Sequence, residues 1–155
     1  EPVVLERLDG SVLMLIRTQT GKVYQSISQD GGETWSKSEP SVLPSQEAPI
    51  AVRRIPGTDL AVAVWNADYQ TGAKSHGGRR SPFHLAISRD DFRTPVQPVV
   101  VEASKSETFS YPSISFAEGR LLLTYYVGHD AALVGGGHTA RLSLRFQALS
   151  LASRP

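Results

Sequence analysis

Along much of this chain apolar and polar residues alternate with a period of two, and glycine or proline breaks the alternation every few residues. Three segments share one layout. Pro2-Val-Val-Leu-Glu-Arg-Leu-Asp-Gly10 leads into Ser11-Val-Leu-Met-Leu-Ile-Arg17, and Pro49-Ile-Ala-Val-Arg-Arg-Ile-Pro-Gly57 leads into Leu60-Ala-Val-Ala-Val-Trp-Asn66. The third is Pro112-Ser-Ile-Ser-Phe-Ala-Glu-Gly119, followed by Arg120-Leu-Leu-Leu-Thr-Tyr-Tyr126. Each reads as an alternating strand, a glycine turn and a nearly continuous apolar strand, the pattern of a hairpin with one well-buried arm. A further strand is predicted after each pair, over Lys22–Ser28, Phe83–Ser88 and residues 140–149. Helical periodicity is absent, and thirteen glycines with ten prolines punctuate the strands. Repeats of this length, with about four strands each, are the signature of propeller blades. The expectation is an all-β chain of about three blades, over residues 1–47, 48–103 and 104–155.

Composition narrows the partners. Sixteen basic residues against fifteen acidic ones leave a formal charge of +1, which gives no reason to expect nucleic acid or a membrane surface. No apolar run is long enough to span a bilayer. The chain has no cysteine, so disulfides and thiolate metal sites are excluded. It opens on Glu1-Pro-Val-Val-Leu5 inside a strand pattern, which predicts a start within a larger domain.

One turn is more specific than the rest. Ser28-Gln-Asp30-Gly31-Gly32-Glu-Thr34-Trp35 spells Ser-x-Asp-x-Gly-x-Thr-Trp after the β-branched run Val23-Tyr-Gln-Ser-Ile27. Asp30 can fold its carboxylate onto nearby backbone N–H groups, Gly31 and Gly32 permit positive φ, and Trp35 can cover the turn. This pattern resembles the Asp box of sialidases and related β-propellers. Ser88-Arg-Asp90-Asp91-Phe92 resembles a decayed copy that lacks the glycines and the tryptophan.

The resemblance to sialidases extends over most of the chain. The stretch from Glu1 to Arg17 is similar to the family's glutamate strand followed by an arginine strand. Arg80-Ser-Pro-Phe-His-Leu-Ala-Ile-Ser88 keeps the family's spacing from its last triad arginine to the serine of the next Asp box, with Arg79 as the neighbouring alternative. Ser110-Tyr111-Pro-Ser-Ile114 resembles the strand that carries the nucleophile. The resemblance implies that Tyr111 attacks the sugar, that Glu1 takes its proton, and that Arg17 and Arg80 hold the substrate carboxylate. It implies no metal and no organic cofactor. Sialidase propellers have six blades, so the chain reads as a C-terminal half whose partner is the missing N-terminal half. The family's first triad arginine and its aspartic general acid lie in that half. Pro112 stands where the family commonly has a small hydroxyl residue, and no distinctive glutamate follows Tyr126.

The residue types suit the chemistry. A sialic acid bears a carboxylate on its anomeric carbon, so a carboxylate nucleophile would meet like-charge repulsion that a neutral phenol avoids. Sialidases with a tyrosine nucleophile are a known exception to the two-carboxylate glycosidase scheme. A guanidinium offers a planar fork that donates two parallel hydrogen bonds to a carboxylate.

Each residue also has a plain structural reading: Glu1 as an exposed strand residue, Arg17 as a strand-end arginine reaching solvent, Arg79 and Arg80 as a solvated loop, and Tyr111 as an aromatic at a strand start. Their shared order and spacing favour the functional one. Trp65, Tyr126 and Arg17 occupy corresponding points of the three repeats, as a pocket wall or, for Trp65, as blade packing. His129-Asp130 and His138 flank Gly135-Gly136-Gly137, but the run lacks the Lys-Ser/Thr ending of a phosphate loop and a full zinc ligand set. It reads as a connection with a role at the substrate rim. The resulting expectation is a sialidase-type glycosidase acting on a sialylated or other acidic glycan. A non-catalytic Asp-box propeller that binds glycans or proteins is the alternative, and a hydrolase or lyase for a different acidic sugar is a third reading.

Overall fold

The computed structural model describes residues 1–68, 80–129 and 142–151. Every regular element among them is a strand, and none forms a helix long and apolar enough to cross a membrane. The strands are β1 (Pro2–Glu6), β2 (Val12–Ile16), β3 (Lys22–Ser28), β4 (Glu39–Pro44), β5 (Ala51–Arg54), β6 (Ala61–Trp65), β7 (Phe83–Ser88), β8 (Val99–Glu102), β9 (Glu107–Ala117), β10 (Arg120–His129) and β11 (Leu142–Ser150). They form three antiparallel sheets in sequence order, β1 to β4, β5 to β8 and β9 to β11. The three repeated hairpins are β1–β2, β5–β6 and β9–β10, turning at Gly10, Gly57 and Gly119, all with positive φ. The first strands of the sheets are neighbours, β1 beside β5 and β5 beside β9.

The alternation read from the sequence decides how the sheets stack. In β6 all five residues are buried. Ala61, Ala63 and Trp65 join Leu5, Leu13, Leu15 and Val23 in a core between the first and second sheets. Val62 and Val64 point the other way, into a core with Phe83, Phe109, Leu121, Leu123 and Tyr125. The middle sheet is therefore covered on both faces. Each fully buried Leu or Phe contributes on the order of 1.5–3 kcal/mol. Phe83 and Tyr125 pack with ring centroids 4.9 Å apart, and Phe109 meets Tyr125 edge-on at 6.0 Å. Trp65 packs inside the stack, with its indole N–H on the Pro44 carbonyl at 2.7 Å.

The turn at 28–35 closes on its own side chains. Thr34 donates to the Asp30 carboxylate through both its N–H and its hydroxyl, at 2.9 and 2.5 Å, and Gly32 N–H donates to Ser28 Oγ at 2.8 Å. The Thr34 hydroxyl, the Thr34 N–H and the Ser28 hydroxyl hold the Asp30 carboxyl down at about 2. Trp35 is half-buried over this turn, its indole N–H on the Gly32 carbonyl at 3.0 Å.

The sequence suggests decay in the corresponding turn at 88–94, yet the bonding pattern is intact. Phe92 N–H donates to Ser88 Oγ at 2.8 Å, and Thr94 donates to Asp90 through its N–H at 3.1 Å and its hydroxyl at 2.5 Å. The missing glycines are replaced by Asp91 and Phe92 at φ of 57° and 59°. Left-handed backbone costs a non-glycine residue roughly 1–2 kcal/mol. Tertiary contacts offset it: Phe92 is buried in the first core, and the buried Asp91 carboxylate accepts from Leu8 N–H at 2.9 Å and from Arg54 at 2.5 Å. Asp91 thereby ties the second sheet's turn to the first sheet's β1–β2 hairpin.

Breaking this tie should be far more damaging than breaking a surface pair. Removing one partner of a buried ion pair typically costs 3–5 kcal/mol. Arg54 keeps the Glu6 and Asp59 carbonyls as acceptors, so Asp91→Ala is expected near the lower end, at about 3 kcal/mol. Arg93→Ala, which removes the exposed pair with Asp9, should leave the urea midpoint almost unchanged. Urea unfolding of the two variants tests the difference.

Candidate functional site

Three of the four candidate residues flank a strand, and the fourth lies within one. Glu1 precedes β1, Arg17 follows β2, Arg80 lies shortly before β7, and Tyr111 is inside β9. Because β1, β5 and β9 are neighbours, these positions converge. Glu1, Arg17, Thr18, Gln19, Glu47, Arg80 and Tyr111 line one open cleft of about 620 Å³. That size lies within the roughly 300–1,000 Å³ typical of small-molecule sites. Arg79 lies outside the described residues, as do Asp130, His138 and the glycine run; Arg80 is the arginine that lines the cleft.

Tyr111 owes its position to an irregularity in the sheet. In the β9–β10 ladder Ser110 pairs with Tyr126 and Ser113 with Thr124, so Tyr111 and Pro112 together face the single residue Tyr125. Two residues against one make a β-bulge, where a proline without an N–H is tolerated. Tyr111 adopts φ of 55° at this bulge and is 46% exposed. Its ring meets Tyr126 edge-on with centroids 5.9 Å apart, and the Arg80 guanidinium carbon lies 5.8 Å from the ring centre. Tyr126, predicted as pocket wall, is the neighbour that props the phenol.

Glu1 is the node of the cleft. It accepts from Arg17 Nη1 at 2.6 Å through one oxygen and from the Tyr111 hydroxyl at 3.3 Å through the other. The second contact is longer than the usual hydroxyl hydrogen bond of about 2.7–2.8 Å. The hydrogen bond from Arg17 holds the Glu1 carboxyl below its ordinary value, against burial that pushes it up. Glu1 is therefore ionised at neutral pH and able to accept a proton. For Arg17 burial is the largest single influence and acts downward, but its contacts with Glu1 and its other neighbours leave it raised. Arg80 is lowered by burial first and by repulsion from Arg17 second. An anion bound between the two guanidiniums would screen their repulsion and supply an opposite charge beside Arg80.

Sequence reasoning missed Glu47 and Gln19. Glu47 forms an ion pair with Arg17 Nη2 at 3.6 Å, and Gln19 Nε2 donates to the same Glu47 oxygen at 3.1 Å. The repeat carried the signal. Glu1, Glu47 and Tyr111 stand one or two residues ahead of Pro2, Pro49 and Pro112, which open the three repeated segments, and all three line the same cleft.

The pattern of the BNR repeat-like domain family matches residues 1–123. Among solved structures, the leech intramolecular trans-sialidase complexed with 2,7-anhydro-Neu5Ac is similar with a TM-score of 0.67 at 18% identity, covering 97% of this chain and 23% of that one. The intramolecular trans-sialidase of Ruminococcus gnavus, in complex with oseltamivir carboxylate, gives 0.66 at 18% identity, over 97% of this chain and 32% of that one. The Penicillium chrysogenum alpha-L-arabinanase complexed with arabinobiose gives 0.58 at 16% identity, over 96% and 45%. The chain thus spans less than half the length of each of these three proteins. No curated protein sequence matches it. The shared fold makes the three sheets part of a sialidase-type β-propeller.

The Glu1–Arg17 contact yields a titration prediction. Replacing Arg17 with Met should move the Glu1 carboxyl up toward its ordinary 4.5. Because the folded pKa is depressed, Glu1 adds stability above its unfolded pKa, and that contribution disappears as pH falls through the folded value. Carbon-detected NMR titration of the Glu1 carboxyl, in wild type and Arg17→Met, measures the shift; an unmoved titration would refute the coupling.

Proposed function

This chain belongs to the BNR repeat-like domain family, and from that premise we propose that the protein, with its propeller complete, is a retaining glycosidase of sialidase type. Its substrate is a terminal sialoside or a related 2-keto acid sugar on a glycan. The observation that carries the reading is the single Glu1 carboxylate joining the Tyr111 phenol to the Arg17 guanidinium, with Arg80 beside the same ring.

The chemistry follows from these contacts. Arg17 and Arg80 bind the substrate carboxylate and set the anomeric carbon against Tyr111. The phenol oxygen bonds to that carbon as its proton passes to Glu1 Oε1, the acceptor already facing it. The glycosidic C–O bond breaks, and the leaving oxygen takes a proton from the general acid, an aspartate that the sialidase resemblance assigns to the other half of the propeller. Water then attacks the anomeric carbon and gives a proton to the aspartate left ionised by the first step. The bond from that carbon to the Tyr111 oxygen breaks as Glu1 returns its proton to the phenol oxygen, and the product keeps its starting configuration. Converging cations near the ring favour the phenolate character that develops during attack.

The exposed apolar face of β11, with Leu142, Leu144 and Phe146 each at least 60% exposed, supports a neighbouring part of the propeller packing there. Faces this apolar are uncommon on free surfaces.

Kinetics on the complete protein with an aryl sialoside test the assignment. Tyr111→Phe should lower kcat by at least about a thousandfold with KM changed by less than about threefold, because the phenol oxygen bonds only along the reaction path. Arg17→Lys should weaken ground-state and transition-state binding together, lowering kcat/KM by about ten- to a hundredfold, since a point charge replaces a planar fork. Unchanged turnover in Tyr111→Phe would remove the nucleophile. Binding of sialosides without any hydrolysis by the wild type would favour a non-catalytic glycan-binding propeller.

A further inference from the structure

Glu47 touches both guanidiniums of the cleft. Its carboxylate lies 3.6 Å from Arg17 Nη2 and accepts from Gln19 Nε2 at 3.1 Å, while its backbone carbonyl faces Arg80 Nη2 at 3.5 Å. The side chain is 9% exposed, so these contacts are made largely out of water, where charge–charge interactions are strongest. Its backbone is fixed from both sides. Ser45 N–H donates to the Gly21 carbonyl of the first sheet at 3.0 Å, and Gln46 N–H to the Asn66 carbonyl of the second at 3.2 Å. Ala48 and Ile50, on the other side, are buried.

We propose that Glu47 is a positioning residue that fixes the two arginines of the anion clamp relative to each other and sets the preference for a carboxylate-bearing sugar. The inference rests on the sialidase-type reading for the identity of the ligand, but its geometry does not depend on it. Arg17 is shared by two carboxylates, Glu1 on Nη1 and Glu47 on Nη2. When Glu1 takes the phenol proton it becomes neutral and loses most of its hold on Arg17. Glu47 takes no proton in that step and keeps its contact with Arg17 Nη2, which holds the guanidinium plane in place. An arginine held by Glu1 alone would be released at the moment its orientation matters most, and small displacements of a positioning group reduce its effect sharply.

The test compares Glu47→Gln and Glu47→Asp with wild type in the complete protein, using two readouts. Calorimetry gives the ratio of affinities for N-acetylneuraminic acid and its methyl ester, in which a methyl group removes the charge that the clamp would read. Nitrogen-15 relaxation of the Arg17 Nε–H group reports its rigidity without any ligand. In Glu47→Gln the acid-to-ester ratio should fall about tenfold and Arg17 should become mobile, whereas Glu47→Asp, which keeps the charge, should recover most of both. A ratio that is unchanged or raised in Glu47→Gln, or an Arg17 side chain as rigid as in wild type, would overturn the proposal. A wild type with no preference for the acid, in which Arg17 still loosens on Glu47→Gln, would remove the sialoside reading and leave the positioning role standing. No preference and no loosening would remove both.

Discussion

The constraint on which this structure depends is that its middle sheet is covered on both faces. β6 places Ala61, Ala63 and Trp65 in one core and Val62 and Val64 in the other, so neither face can slide or turn outward without exposing apolar surface. Small residues at the crossing points let the flanking sheets approach closely, as interiors packed at crystal-like density require. With the sheets fixed face to face, β1, β5 and β9 lie side by side, and the residues just ahead of Pro2, Pro49 and Pro112 in the repeat, namely Glu1, Glu47 and Tyr111, are delivered to one place. The cleft is a consequence of that stacking. Its residues come from five separate stretches of sequence, and no local motif holds them together.

This explains which parts were legible from sequence. A period of two ending at glycine located the three hairpins, since alternation and turn chemistry are local properties. The 28–35 turn was readable because each side chain bonds within the turn itself. The 88–94 turn was misread as decayed for the converse reason. Its left-handed backbone is supported by Leu8 and Arg54, more than thirty residues away, and nothing within the turn announces them. β4 and β8 were expected only as a count, being short and rich in proline or exposed valine. Glu1, Arg17, Arg80 and Tyr111 were found through resemblance and then met in space. Glu47 has no motif, only its place in the repeat, and a glutamate ahead of a proline is unremarkable until the sheets are stacked.

The charges of the cleft show why position matters more than residue count. Two carboxylates, Glu1 and Glu47, stand against two guanidiniums, Arg17 and Arg80, so on formal charge the site is balanced. Arg17 is nevertheless raised by its carboxylate neighbours and Arg80 is lowered by burial and by Arg17. Arg80, beside the phenol, is thus the cation whose charge its surroundings support less, while Arg17 is held by Glu1 and Glu47. Electrostatic asymmetry within a neutral set of groups is enough to orient a ligand.

The backbone of Tyr111 is held in a conformation that regular strand geometry does not use. Among the described residues, four other than glycine have positive φ. Asp91 and Phe92 are offset by burial and by the tie to the first sheet. Glu118 forms a two-residue hairpin loop with Gly119, a setting in which positive φ matches the twist of the flanking strands. Tyr111 has neither compensation: it is half-exposed, lies inside a strand, and sits on a bulge opposite Tyr125. Regular β9 geometry would keep its side chain in the alternation of the strand; the bulge takes it out of register and turns the phenol toward Glu1. Backbone strain without local recompense persists where the surrounding structure enforces it, and such positions cluster at sites that act on ligands. The strain at Tyr111 is therefore an argument for function independent of any resemblance, because the fold alone gives no reason to hold an exposed tyrosine there.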